Sequence, residues 1–357
     1  MRTTNSPTHP FTSIDNSSLD KKPFNPSKDD IQHLCQFFSL GGLRHFEKEK
    51  GISFYHANFF VFVSTTRGQY ALKFYPPDTV QKITIEFAIN RVLTDQHFLT
   101  PLMHAGINGQ AFSPSNDRLA TCYSYVNGHH ALKHIRKPGT TRQINAAMLS
   151  LKNILSTNKK LKNILNLIPT VKERSMTSTI HSLAQDFRLL TPYEHKKIVD
   201  TALLDACQTY QHHRHLFTRQ WQHHDAILNN FLIYKKTVYT LDMENVWEDY
   251  ILCDLASLVI SCLFRSIPVK TIKTIVKDYF TQHNIGSEGL IVLHALLKIK
   301  IISEYLRNIK YEKNLKLSVP SPGLAHTYMP HLLAYKKIAA PLLKGMNNIS
   351  GLIGTDG

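Results

Sequence analysis

Apolar and polar positions follow two different rhythms along this chain, and the change of rhythm divides it. Ser27 opens a helical pattern as an N-cap, followed by Lys28, Asp29, Asp30 and apolar positions at helical spacing through Phe38. The Gly41 and Gly42 pair is expected to end that helix. Residues 58–64 and 69–75 are rich in β-branched and aromatic side chains and are separated by a four-residue turn ending in Gly68, which predicts an antiparallel hairpin. Pro76 and Pro77 stop its second strand. A helix is predicted over 79–98 with Ile83, Phe87, Ile89 and Leu93 on its apolar face, then strands at 102–105 and 120–126, the last ending at Asn127 and Gly128. Beyond Gly128 the pattern is mostly helical, apart from a short β-like stretch over 230–241. The expected plan is an α+β chain in two lobes. A sheet-rich lobe spans 27–128 and a larger helical lobe spans 129–345, with flexible polar tails at 1–26 and 346–357.

Composition narrows the class. With 357 residues and 43% apolar side chains the chain can bury a sizeable core, so wholesale disorder is excluded. Its formal charge of +16 favours anionic partners such as nucleotide phosphates or phosphorylated metabolites. The five cysteines are scattered without a CxxC pair, which argues against a disulfide scaffold or a cysteine-built zinc site. No stretch reaches 18 uninterrupted apolar residues and the first residues lack a secretory apolar core, so a cytoplasmic protein without a membrane span is expected.

The chemistry concentrates between Gln222 and Val246. His223, Asp225 and Asn230 stand in an HxDx4N arrangement, and Asp242 follows twelve residues after the Asn. An apolar strand, a Lys235-Lys236 turn and a second strand lie between, so a hairpin should return Asp242 to the side of Asn230. In the other lobe Lys73 falls in the middle of a predicted strand, a poor place for an unpaired ammonium, so it calls for an anion. Glu86 lies thirteen residues later, early in the next helix.

These residues, in this order, resemble the aminoglycoside phosphotransferase and choline kinase superfamily, which shares the bilobal protein kinase-like fold; in flavour the chain is nearest to its homoserine kinase-like and spore-coat kinase-like branches. The resemblance implies an ATP- and Mg²⁺-dependent transfer of the γ-phosphate to a hydroxyl. Asp225 would orient the acceptor hydroxyl and take its proton, His223 would orient the loop, and Asn230 and Asp242 would ligate Mg²⁺. Lys73, paired with Glu86, would hold the phosphates. Tyr123, Ser124, Tyr125 and Val126 would form the hinge against adenine, and Asp254 would support the catalytic loop. Ser53 and Asn58, in a loop with a single glycine, are the phosphate-contact candidates there. Glu244 is a candidate to approach the metal or simply to hydrogen-bond nearby.

The chain departs from the family pattern at His224, where glycine is usual and where a large side chain could narrow the acceptor entrance, and at Met243, where an aromatic is usual. The expected acceptor is a small metabolite such as an amino alcohol (homoserine or choline) or a sugar, and the net positive charge argues against a polycation. Two other readings stand beside this one: a protein Ser/Thr kinase, and a catalytically silent nucleotide-binding scaffold. The first lacks an Ala-Pro-Glu element after Asp242; the second sits poorly with retention of every charged residue type. Residues 131–175 carry ten Lys and Arg against one acidic residue, either a solvated helix face or an electropositive wall; no aromatic-interleaved or helix-turn-helix pattern accompanies them, which argues against nucleic acid. His129, His130, His212, His213 and His215 show no metal-ligand spacing and read as solvated or capping groups.

Overall fold

A computed structural model describes residues 25–48, 58–137, 139–159, 161, 163 and 196–317. Both expected tails (but for Asn25 and Pro26), Ser53 and most of its loop, and nearly all of the basic stretch after residue 159 lie outside the described residues. Helix α1 spans Lys28–Phe37 and begins at the Ser27 cap, where the Ser27 hydroxyl accepts from the Asp30 N–H and the Asp30 carboxylate accepts from the Ser27 N–H. It ends before the glycines. Ser39 takes the left-handed conformation (φ 55°), the Leu40 N–H returns to the Cys35 carbonyl and the Ser39 N–H to that of Gln36, a Schellman closure that buries Leu40. Gly41 (φ 87°) serves the next turn instead: a Cβ there would lie 2.4 Å from the Thr66 hydroxyl.

The N-terminal sheet contains β1 (Leu43–Lys48), β2 (Phe59–Thr65), β3 (Gln69–Tyr75), β4 (Met103–His104), β5 (Ser113–Ser115) and β6 (Arg118–Ser124). The order is β1-β2-β3-β6-β4, antiparallel throughout, with β5 hairpinned onto β6. β6 starts two residues earlier than its apolar pattern suggests because Asn116, at φ 55°, makes the tight turn from β5. Helix α2 (Val80–Asp95) buries Ile83, Ile85, Glu86, Ile89, Asn90, Val92 and Leu93. Phe87, expected on its apolar face, is only partly buried. The single-stripe expectation fails because α2 is covered on two sides. Ile83 packs with Tyr75 and Tyr123 of the sheet, while Ile85 and Ile89 pack with Trp221, Met243 and Val246 of the C-terminal region.

That region begins with β7 (His129–His130) and α3 (Thr140–Thr157), followed by α4 (Lys196–His213). Two short sheets then frame the chemistry: β8 (Arg219–Gln222) pairs with β11 (Trp247–Tyr250), and β9 (Phe231–Tyr234) lies between β10 (Thr237–Thr240) and β7. Helices α5 (Cys253–Phe264), α6 (Val269–His283) and α7 (Glu288–Leu317) complete the fold. α5 is mostly apolar, with Asp254, Ser257 and Ser261 as its polar side chains, and is buried nearly all round, with α3, α4, α6 and α7 contributing to the core about it. It is the platform on which the HxDx4N loop rests.

Candidate active site

Strand alternation puts Ala71, Lys73 and Tyr75 on one face of β3, and that face looks onto α2 and the segment after β10. The buried Lys73 Nζ lies 2.7 Å from Asp242 Oδ1, 3.3 Å from Glu244 Oε2 and 3.7 Å from Glu86 Oε2. The Tyr75 ring sits beneath the ammonium with its centroid 4.6 Å away, and the Tyr75 hydroxyl donates to Glu86 at 2.7 Å. Tyr123 joins the same network, 3.1 Å from the Tyr75 hydroxyl. Asn58 Nδ2 donates to Glu244 Oε2 at 3.1 Å.

Burial disfavours the Lys73 ammonium, but Asp242, Glu86 and Glu244 outweigh that penalty and hold its pKa well above the ordinary lysine value. For Glu86 burial wins over the attraction of Lys73, and its pKa is raised. For Asp242 burial pushes upward, yet Lys73 prevails and the carboxyl is held below its usual range. Three carboxylates converge on one ammonium, and one carboxylate oxygen from each of Glu86, Asp242 and Glu244 lies within 4.8 Å of the other two. Withdrawing each such ion from water costs several kcal/mol, so the cluster is poor as a stability device and well suited to receiving further positive charge.

The loop after β8 is fixed from beneath by Asp254, whose two oxygens accept from the backbone N–H groups of His223 (2.9 Å) and His224 (2.7 Å). Asp254 lies in the first turn of α5, where Leu252 rather than Asp254 is the N-cap residue, so its carboxylate reaches outward to the loop and not to its own helix. His223 Nδ1 accepts from the Asp225 N–H at 3.3 Å, which places the ring proton on Nε2, and that Nε2 donates to the Leu241 carbonyl at 2.7 Å. His223 therefore ties the Asp225 loop to the residue before Asp242. Asn230 Nδ2 donates both to the Asp225 carbonyl (2.8 Å) and to Asp225 Oδ2 (2.9 Å), so its own oxygen is turned away from Asp225.

The β9–β10 hairpin does what its spacing requires. Lys235 and Lys236, both at positive φ (46° and 65°), make the two-residue turn, and the Leu241 N–H bonds the Asn230 carbonyl at 2.9 Å. Asp242 follows at φ 62°, directing its carboxylate to Lys73. Met243, in the place of an aromatic, is buried against Ile85 and Ile89 and so seats α2, with Glu86, on the C-terminal region.

Of the 123–126 stretch, Tyr123 and Ser124 end β6. The Ser124 N–H is bonded to the Leu102 carbonyl and the Tyr125 N–H to that of Gln69, so both amides are committed within the protein. His224 does not narrow an entrance: its ring is buried face to face with Trp247, centroids 3.5 Å apart. The surface histidines behave as caps and neighbours. His213 meets the Thr209 carbonyl, His130 that of Asn229, and His129 stacks on His134.

Over residues 55–287, more than half of its length, the sequence matches the phosphotransferase enzyme family. The chain belongs to that family. Against curated protein sequences there is no significant match. Among solved structures this phosphotransferase is similar to amicoumacin kinase in complex with AMP-PNP, Ca²⁺ and amicoumacin (11% identity, TM-score 0.64, covering 89% of this chain and 94% of that one). It is similar as well to the ethanolamine kinase of Plasmodium vivax (12%, 0.58, 85% and 84%) and the choline kinase of Cryptosporidium parvum (13%, 0.57, 90% and 98%). At such identities the likeness establishes the protein kinase-like fold of this phosphotransferase.

Tyr75 is the member of the phosphotransferase's charged cluster that sequence reasoning missed. Its signal was present, since it lies two residues beyond Lys73 and so on the same strand face. Glu244, left open between metal approach and hydrogen bonding, joins the ion cluster directly.

Proposed function

We propose that this phosphotransferase moves the γ-phosphate of ATP, with Mg²⁺, to the hydroxyl of a small metabolite. The observation that carries the reading is the convergence of Lys73 from the sheet on Asp242 from the helical region, 2.7 Å apart, beside an Asp225–Asn230 pair linked at 2.9 Å. Glu86, Asp242 and Glu244 bring one carboxylate oxygen each within 4.8 Å of one another, an all-oxygen donor set that suits a hard divalent cation and to which Asn230 is assigned to add its amide oxygen. Bound ATP and Mg²⁺ supply the transferable phosphoryl group and the screening of its charge. Asp242 and Asn230 are assigned to hold the metal, with Glu244 beside them. Lys73, oriented by Glu86, is assigned to the phosphates.

Asp225 Oδ2 is held by Asn230 and its backbone N–H by His223, so the carboxylate is aimed before any acceptor arrives. It accepts the hydroxyl proton while the acceptor oxygen is held for in-line attack. His223, donating from Nε2 to the Leu241 carbonyl, keeps the base and the Asp242 segment in one register. With the Ser124 and Tyr125 amides committed, base recognition falls to the Ser124 carbonyl and the Val126 amide. Ser53 remains a phosphate-contact candidate. Asn58 is assigned to hold Glu244 in place.

For the acceptor, the charge of +16 favours a neutral, singly charged or anionic molecule over a polycation, which leaves amino alcohols and sugars. The choline and ethanolamine kinases among the structural neighbours support the former class. A transfer screen with labelled ATP and Mg²⁺ over amino alcohols, sugars, aminoglycosides and protein mixtures tests this. Turnover on an amino alcohol or sugar is expected; turnover confined to proteins, or to polycationic aminoglycosides, would contradict it.

A further inference from the structure

Beneath the catalytic loop a second group of metal-ligating side chains converges, and none of its members takes part in the chemistry above. His224 comes from the loop, Asp249 from β11 and Cys253 from the first turn of α5. They are 8%, 1% and 0% exposed. One ligand atom from each lies within 4.8 Å of the other two, and His224 Nε2 is 3.9 Å from Asp249 Oδ2.

Each side chain is already oriented. The His224 imidazole is stacked on the Trp247 indole with ring planes 13° apart. Asp249 Oδ1 accepts from the Tyr250 N–H at 2.8 Å, and its Oδ2 faces His224. A separation of 3.9 Å is too long for a hydrogen bond between the two. It is close to the ~3.3–3.8 Å between ligands of a tetrahedral ion whose bonds are about 2.0–2.3 Å long. A nucleophilic Cys–His–Asp arrangement does not fit: Cys253 has no exposure, and burial pushes its thiol well above the ordinary value.

We propose that His224, Asp249 and Cys253 bind a borderline-soft divalent cation such as Zn²⁺, with water completing the tetrahedron. One nitrogen, one oxygen and one sulfur donor suit zinc or cobalt and repel magnesium, which refuses sulfur. On binding, Cys253 gives its thiol proton to solvent, and the thiolate and carboxylate then balance the charge of the ion, while the neighbouring Lys300 ammonium, which donates to the Ser257 hydroxyl at 2.7 Å, has Asp254 as its counter-charge.

The location gives the ion a task. His224, at φ 63°, immediately precedes Asp225, and Cys253 immediately precedes Asp254, which holds the loop amides. A cation joining the two fastens the Asp225 loop to α5.

The test is cobalt titration of full-length, chelator-stripped protein. The expected result is a thiolate-to-cobalt charge-transfer band that saturates at one ion per chain, is displaced by Zn²⁺ and survives excess Mg²⁺. Cys253→Ala should lose the band, His224→Gly and Asp249→Asn should weaken or shift it, and Cys207→Ala should keep it. No band in the parent protein, or an undiminished band in Cys253→Ala, overturns the site. If Cys253→Ala does not fold, a band of undiminished affinity and position in His224→Gly overturns it equally. The Mg²⁺ arm separates this site from the all-oxygen cluster at Asp242, so its failure would leave the proposed transfer reaction standing.

Discussion

Lys73 and Asp242 are 169 residues apart in sequence and 2.7 Å apart in space, and this ion pair joins the sheet to the helical region through the candidate site. It is not an isolated surface pair. Both partners share their charge with Glu86 and Glu244, and Lys73 faces all three carboxylates while His223 and Lys82 add to its effect at Asp242.

Removing that ammonium should therefore be felt in folding as well as in activity. Lys73→Met leaves Asp242, Glu86 and Glu244 facing one another without the ammonium they share, a change of the kind that costs about 3–5 kcal/mol. Urea denaturation without divalent ions should show that loss. Added Mg²⁺ should recover more stability in the variant than in the parent, because it replaces the missing positive charge. An unchanged midpoint would mean that the cluster is not ionised as described.

Asp254 holds the backbone of the Asp225 loop and is assigned a supporting role in the proposed transfer. Asp254→Ala orphans two buried backbone donors, those of His223 and His224, at about 1–3 kcal/mol each. The loop carrying Asp225 should lose its aim, so kcat is expected to fall by at least an order of magnitude while ATP affinity, measured calorimetrically, changes little.

His224 occupies a left-handed backbone position with φ 63°. In chelator-treated protein, His224→Ala keeps that strain and loses the Trp247 stack, whereas His224→Gly loses the stack but relieves the strain. Glycine should accordingly be the more stable of the two by about 1–2 kcal/mol, and both should be less stable than the parent. Equal stability of the two variants would show that the backbone there is not held left-handed in solution.

His283 provides a pH signature. It stacks on Tyr279 with centroids 3.9 Å apart and faces the Lys152 ammonium at 3.4 Å. Burial first, and Lys152 second, lower its pKa from 6.5 to about 3. The unfolded chain takes up a proton near pH 6.5 that the folded protein refuses until about pH 3. Stability present above pH 6.5 is therefore lost as pH falls through that window, at up to about 1.4 kcal/mol per unit. His283→Phe keeps the stacked ring and removes the proton site, so its urea midpoint should decline less steeply between those limits than that of the parent.

What could be read from the sequence was whatever local spacing encodes. The Lys235-Lys236 turn between two apolar runs was enough to return Asp242 to Asn230, and Lys73 in mid-strand announced its need for an anion. Long-range packing was less legible. α2 defeats a single-stripe reading because Met243 and Trp221 cover a second face that belongs to another part of the chain. The β8–β11 pair is four residues a strand and has no alternation long enough to stand out; only its partner's position defines it. Gly41 and Gly42 looked like the end of α1, yet Ser39 closes the helix because a Schellman turn needs one left-handed residue and serine can supply it. At His224 the sequence leaves open whether the large side chain narrows the acceptor entrance, because it gives no hint of Trp247, 23 residues later, lying flat against the ring.

The central claim is that Asp225 is the base of a phosphoryl transfer whose phosphate grip lies elsewhere, on Lys73 and the Asp242 side. The most direct measurement is single-turnover transfer of labelled phosphate to the best acceptor by Asp225→Asn at saturating ATP and Mg²⁺, with ATP binding followed in the same samples. The account predicts a fall of about two to four orders of magnitude in transfer with ATP affinity essentially retained. Transfer at the parental rate by that variant would contradict it.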